Sequence, residues 1–257
     1  MQRTIFCVVS MLLLTILLGP VGCAPAPDTG WQWKQFQIPF DVMNFLNGTG
    51  PHQFPVKDAR VTAVRKGRQY EFTVFYLPGQ TEQPKGRWAW MMVTTPEQVY
   101  SHLNGSGPSQ RPTAVEDARI CAAWENDHAE YFIFYKTGPP GLSLASWEWR
   151  KLTAVGDVVD FLNGKSPGRG PSFAVSIARI AALEKNGTFE YHLFFKRGAG
   201  LGYVVTWKEQ KVSPGPDDAV NYLNGREPYK QPVKNIEICA VSSGENAVYH
   251  IFPNQSG

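Results

Sequence analysis

The chain reads as an α+β protein built from four tandem strand-helix-strand-strand repeats of about 58 residues. Three recurring segments predict this. An octet ending in Leu-Asn-Gly occurs as "DVMNFLNG" at 41–48, "QVYSHLNG" at 98–105, "DVVDFLNG" at 157–164 and "DAVNYLNG" at 218–225. Tryptophan-rich segments precede it, "WQW" from 31, "WAW" from 88 and "WEW" from 147, reduced to Trp207 in the fourth copy. A longer segment follows it, reading "ARVTAVRKGRQYEFTVFY", "ARICAAWENDHAEYFIFY", "ARIAALEKNGTFEYHLFF" and "IEICAVSSGENAVYHIFP". Asn47, Asn104, Asn163 and Asn224 are 57, 59 and 61 residues apart, so the unit hardly changes length.

Each segment has a local reading. The tryptophan segment is a strand. In the octet, Val158, Val159 and Leu162 share one face of a short amphipathic helix. Asn-Gly ends it, because glycine takes the left-handed conformation without penalty. In the second copy Thr95-Pro96 marks its start, a hydroxyl cap followed by proline at the first helical position. The Asn column is read as a helix C-cap, with a ring of amides for a polar ligand as the competing use.

The third segment alternates about a turn, at Lys66-Gly67, Asn126-Asp127 and Asn186-Gly187, and is a hairpin. Period two places Val61, Ile120, Ile180 and Ile238 on one face with Ala63, Ala122, Ala182 and Ala240. Val74, Ile133, Leu193 and Ile251 join that core from the returning strand. Phe75, Phe134, Phe194 and Phe252 point the other way, so both faces are expected to be covered, one by helices and one by neighbouring units. Arg60, Arg119 and Arg179 on the outgoing strand, with Glu71, Glu130 and Glu190 on the returning one, predict cross-strand ion pairs. The fourth copy has Glu237 and Val248 in those places.

A single unit of this size is marginal alone, and stacking buries what it cannot. The expected arrangement is a pseudo-fourfold ring or two paired lobes. Strand-helix-strand-strand modules in a ring resemble the plan of the pentein fold, which has five; the likeness is architectural, since no pentein active-site pattern is present. The predicted divisions are a signal peptide at 1–22, a tether at 23–30, and repeats at 31–84, 85–143, 144–202 and 203–257.

The first stretch is an address. Arg3 precedes the apolar run "IFCVVSMLLLTILLG", which has signal-peptide length. Val21-Gly22-Cys23 resembles the lipobox of bacterial lipoproteins, with Pro20 where that motif carries Leu. The resemblance implies cleavage before Cys23, its acylation, and a lipid anchor. Ala24 after the cysteine is similar to lipoproteins sorted to the outer membrane. Ordinary cleavage after Ala24-Pro25-Ala26, giving a secreted or periplasmic chain, is the alternative.

Composition excludes some partners. Hydrophobic residues make up 43% and charged residues 18%, a mixture that buries a core. A net charge of +3 lacks the dense basic stripe that nucleic acid needs, so no nucleic-acid partner is expected. No nucleophile elbow, phosphate loop or dinucleotide fingerprint appears, and neither a catalytic residue nor a cofactor is predicted. Five histidines without ligand spacing predict no metal. His192 and His250 share a column with Thr73 and Phe132, read as a half-exposed strand position. Cys121 and Cys239 occupy matching columns, as small strand residues or as a disulfide. Asp217-Asp218 suits a helix start.

Two features are candidates for binding. Trp31, Trp88, Trp147 and Trp207 fill one column in every copy; indoles stack on sugar rings, and they are also the bulkiest core filler. The segments after each "LNG" differ between copies and carry Arg111, Arg169, Arg226 and Lys230, with His52, Lys57, Lys165 and Lys234. The expected function is a non-enzymatic binding or scaffold module on the bacterial cell envelope, for a protein partner or a surface or cell-wall glycan. A structural subunit of an envelope assembly and a periplasmic hydrolase are the alternatives.

Overall fold

The computed structural model describes residues 30–49, 56–79, 87–106, 115–138, 146–165, 175–185, 187–198, 206–212, 215–226, 233, 235–243 and 246–255. They form mostly antiparallel β-sheet with four short helices. The order strand, helix, strand, strand occurs four times. It begins with β1 (Gln32–Phe36), α1 (Pro39–Leu46), β2 (Val56–Lys66) and β3 (Gln69–Pro78), then β4 (Ala89–Val93), α2 (Pro96–Leu103), β5 (Val115–Glu125) and β6 (His128–Thr137). It continues with β7 (Glu148–Leu152), α3 (Val155–Leu162), β8 (Val175–Lys185) and β9 (Thr188–Arg197). In the last unit the first strand is split into β10 (Thr206–Trp207) and β11 (Gln210–Val212), ahead of α4 (Pro216–Leu223), β12 (Asn235–Ser243) and β13 (Asn246–Gln255).

Local chemistry sets the boundaries. Thr95 caps α2 in a reciprocal box with Gln98. Pro39, Pro96 and Pro216 open their helices, where a missing N–H costs nothing. After each helix the Asn keeps a near-helical or bridging backbone, and Gly48, Gly105, Gly164 and Gly225 turn left-handed with φ between 63° and 73°. Gly67 and Gly187 reverse their hairpins at φ 61° and 75°, and Asn126 and Asp127 do so at 38° and 68°.

The sheets run β1-β3-β2, β4-β6-β5 and β7-β9-β8; in the fourth, β13 is flanked by β12 on one side and by β10 and β11 on the other. Each hairpin's outgoing strand is therefore an edge. The expected columns are register partners: Val61 lies opposite Val74, Ile120 opposite Ile133, Ile180 opposite Leu193 and Ile238 opposite Ile251.

Two expectations are corrected by this register. Arg60 faces Phe75, while Glu71 lies four residues nearer the turn opposite Val64, so the pair would have to span about 13 Å of strand. Arg119 and Arg179 likewise face Phe134 and Phe194. The arginines go elsewhere, as described below. The column of Thr73, Phe132, His192 and His250 is buried, not half-exposed. An aromatic side chain of another unit covers each member: Tyr249 hydrogen-bonds Thr73, and Phe72, Tyr131 and Tyr191 pack on Phe132, His192 and His250.

The core is four clusters, each shared by two units. Val42, Phe45 and Leu46 of α1 pack on Val61 and Val74, and the cluster continues into Cys121, Phe132 and Phe134 of the second unit. The α2 cluster takes in Ala181, Leu183 and Phe194 of the third unit, and the α3 cluster Cys239, Val241 and Phe252 of the fourth. The α4 cluster takes in Val64 and Phe75 of the first. The edge strands β2 and β5, β5 and β8, β8 and β12, and β12 and β2 are in contact.

Candidate functional site

Three constructions join the units: a clasp at each Asn-Trp pair, a buried charge cluster, and a cavity between the four edge strands. The clasp is made by the "LNG" asparagine. Asn47 accepts from the backbone N–H of Trp88 at 2.7 Å and donates to its carbonyl at 2.9 Å. Asn104 does the same to Trp147 at 2.8 and 3.0 Å, and Asn163 to Trp207 at 2.7 and 2.9 Å. Asn224 reaches back to Trp31, accepting at 2.6 Å and donating at 2.8 Å. An amide offers one acceptor and two donors in a plane, which matches one residue of extended backbone. The recurring asparagine is thus more than a cap, since it holds the entry to the first strand of another unit.

The four tryptophans it holds are buried, with Trp31 3%, Trp88 7%, Trp147 2% and Trp207 7% exposed. Their rings carry protein neighbours: Lys136 Nζ lies 4.7 Å from the Trp88 ring centre and Lys196 Nζ 4.7 Å from that of Trp147. The second tryptophan of a pair is half-buried, and Trp33 donates to Asp217 at the start of α4. No indole of the column has a face open to a sugar. Of the basic candidates, Arg226 is exposed just beyond α4. Arg111, Arg169 and Lys230 lie outside the described residues, as do the acylation candidate Cys23 and all of the tether before Gly30.

The charge cluster contains Arg60, Arg119, Arg179, Asp58, Asp117 and Glu237. Each arginine donates through Nε to a carbonyl of another unit, Arg60 to Ile236 of the fourth at 2.6 Å, Arg119 to Ala59 of the first and Arg179 to Ala118 of the second. These are carbonyls of edge strands, turned away from the strands' own sheet partners, and an unpaired edge carbonyl in the interior is costly. Asp117 bridges Arg119 at 2.5 Å and Arg179 at 2.8 Å, and Asp58 bridges Arg60 at 2.6 Å and Arg119 at 3.1 Å. Glu237 joins Arg179 at 2.7 Å and Arg60 at 3.3 Å. Three positive groups thus meet three negative ones. Burial raises the Asp117 carboxyl, but Arg119 and Arg179 outweigh it and hold it well below its ordinary range. Burial brings the Arg119 guanidinium down to about 10, still charged at neutral pH.

Nearer the hairpin turns the same four strands leave a cavity of about 240 Å³. Its walls are matching positions of every unit: Ala63, Ala122, Ala182 and Ala240, then Arg65, Trp124, Glu184 and Ser242. In an antiparallel strand the N–H and C=O of one residue point to the same side, alternately toward and away from the partner. Ala59 and Ala118 accept from the following unit, and Arg65 accepts from Ser242 at 3.3 Å. The four alanines and the residues two further on share this outward sense, so their backbone groups face the cavity. At the mouth, Arg65 is engaged by Glu125 and by Tyr70, whose hydroxyl also meets Glu125 and Glu130. Lys185 Nζ lies 4.5 Å from the ring centre of Trp124. Glu184 makes no ion pair among the described residues. Sequence reasoning missed Trp124; the available signal was that it is the one tryptophan outside the recurring tryptophan segments.

The remaining candidates are quickly placed. Cys121 and Cys239 are buried and unbonded, and burial pushes both thiols up. His192 and His250 are buried beside Glu190 and Glu209, and burial lowers both imidazoles below the ordinary value. Among the described residues no group of three or more His, Cys, Asp or Glu side chains could hold a metal ion, and no helix is long and apolar enough to cross a membrane. Comparison of the chain with protein-family models, curated proteins and solved structures found no match.

Proposed function

We propose that this is a lipid-anchored protein of the bacterial cell envelope, a non-enzymatic scaffold whose four units close into a pseudo-fourfold ring and which binds another envelope protein. The burial of the tryptophan column carries this reading. A glycan module that stacked sugars on four indoles would leave them open, whereas here each is clasped and covered by the neighbouring unit. The recurring sequence therefore serves contacts between units, and recognition falls to what differs between copies. Ring closure draws support from the Asn224 clasp on Trp31 and the contact of β12 with β2, which repeat the internal junctions.

One difference between copies points to a protein partner. Ile38 at the cap of α1, Phe40 on α1, Met92 on β4 and Tyr100 on α2 are the large apolar side chains left exposed among the described residues, and all belong to the first two units. Orientation follows from the register. Val56 pairs with Pro78, Val115 with Thr137, Val175 with Arg197 and Asn235 with Asn254, at the ends of the units away from the hairpin turns. Gly30, just ahead of β1, lies at that end, as do the points from which the variable segments with Arg111, Arg169 and Lys230 depart. A tether from Cys23 to Gly30 reaches at most about 25 Å, which directs this end to the membrane and the hairpins away from it.

Affinity isolation of the full chain from detergent-solubilised membranes, with mass analysis of the N-terminal peptide, tests the reading. An acylated Cys23 is expected, with an envelope protein that co-purifies and is lost in Phe40→Glu and Met92→Glu. A mature terminus beyond Ala26 overturns the anchor. A partner retained by both variants overturns the assigned face.

A further inference from the structure

We propose that the cavity between β2, β5, β8 and β12 is a binding site for one neutral, hydroxyl-rich ring, a terminal sugar residue. The argument rests on the walls and is independent of the anchor and of the apolar face. Each wall strand presents an unpaired edge, so every side of the cavity offers both N–H donors and C=O acceptors, and no backbone pairing among the described residues joins one edge strand to the next. A hydroxyl group both donates and accepts, and a ring bearing several of them matches such a lining better than a group that only donates or only accepts. The cavity's 240 Å³ is about eight waters' share of liquid volume, room for one sugar ring and its hydroxyls but not for a chain.

The mouth selects against ions. Arg65 is the cation that an anionic ligand would use, and Glu125 and Tyr70 already hold its guanidinium. Lys185, whose Nζ lies over the ring of Trp124 at the same mouth, offsets the charge of Glu184 toward a cationic ligand, while both Glu184 carboxylate oxygens are left to accept hydroxyls. Ser242 supplies a hydroxyl from the wall that adjoins Arg65. Trp124 lines the same wall with Lys185 Nζ over its ring, which places an indole at the site as a reporter of occupancy. Such a residue would approach from the hairpin end.

The test uses the full chain in detergent, titrated with glucose, mannose and N-acetylglucosamine, with glycine and inorganic phosphate as a zwitterion and an anion. Ligand-observed saturation-transfer NMR reads binding, and tryptophan emission reads its place. At least one sugar is expected to bind saturably, with half-saturation in the millimolar range or tighter. The accompanying emission change is expected to vanish in Trp124→Phe. Affinity is expected to fall roughly tenfold or more in both Glu184→Gln and Ser242→Ala, the second serving if the first does not fold. No saturable sugar binding, equal binding by the Glu184 and Ser242 variants, or binding of glycine or phosphate in preference to every sugar overturns the proposal.

Discussion

Replacing Asn224 tests how the first and last units are joined. Its amide makes two hydrogen bonds to the backbone of Trp31, 2.6 and 2.8 Å long, across 193 residues of chain. Asn224→Ala removes both. Two such bonds contribute about 2 kcal/mol net, and the Trp31 N–H and C=O, beside a buried indole, lose a partner that water replaces only in part. The expected cost is about 2–4 kcal/mol, a large share of the ~5–15 kcal/mol that holds a typical domain together. Asn224→Asp keeps the acceptor but sets a carboxylate oxygen where Nδ2 stood, against the Trp31 carbonyl. At neutral pH it should be at least as damaging as alanine, and acid should relieve the difference between the two, because a protonated carboxyl donates again. Urea denaturation followed by tryptophan emission measures the shifts, and limited proteolysis should show cleavage near β1 first. An alanine variant within about 0.5 kcal/mol of the parent, or an aspartate variant as stable as the parent at neutral pH, refutes the reasoning.

Gly30→Ala should weaken the same junction, since a Cβ there would lie 2.6 Å from Asn224 Oδ1, and its loss in urea should not add to that of Asn224→Ala. Glu237→Gln leaves Arg60 and Arg179 short of one buried partner and should cost about 3–5 kcal/mol, read from thermal melts. Glu237→Arg, the residue type of the first three units, buries a fourth guanidinium and should abolish recovery of folded protein. Burial lowers the His192 and His250 imidazoles in the folded chain, while the unfolded chain protonates them at the ordinary value near 6.5, so urea midpoints should be flat above that value and fall as pH drops below it. Asp117 works at lower pH: its carboxyl is held down by two arginines, so its contribution persists to about pH 4 and is lost as pH falls further. Cys121 and Cys239 should resist a thiol reagent until the chain unfolds, as measured by release of the chromophore with and without denaturant.

The elements themselves were legible in the sequence because their signals are local. Thr95-Pro96 starts a helix, Asn-Gly stops one, and alternation about Gly67 or Gly187 makes a hairpin. The core columns were legible too, since period two needs no knowledge of neighbours. What the sequence hid depends on a second unit. Asn47 looks like a cap until Trp88 is seen against it, and Arg60 looks like the mate of Glu71 until Ile236 and Glu237 arrive from the far end of the chain. His192 and His250 read as half-exposed because the tyrosines that cover them belong to other copies. The cavity was hidden for the same reason: Arg65, Trp124, Glu184 and Ser242 share a column but no chemistry, and only their convergence gives them a common use.

The charge cluster also bears on how such a chain can be divided. The first unit brings Asp58 with Arg60 and the second Asp117 with Arg119, so each carries its own balance. The third has Ile177 where the first two have aspartate, and Arg179 pairs with Glu237 of the fourth. A chain cut between the second and third units leaves two neutral pieces, whereas a cut between the third and fourth strands one charge on each. Charge balance thus ties the third unit to the fourth, whose departure from the repeat supplies the anion that Arg179 lacks within its own unit.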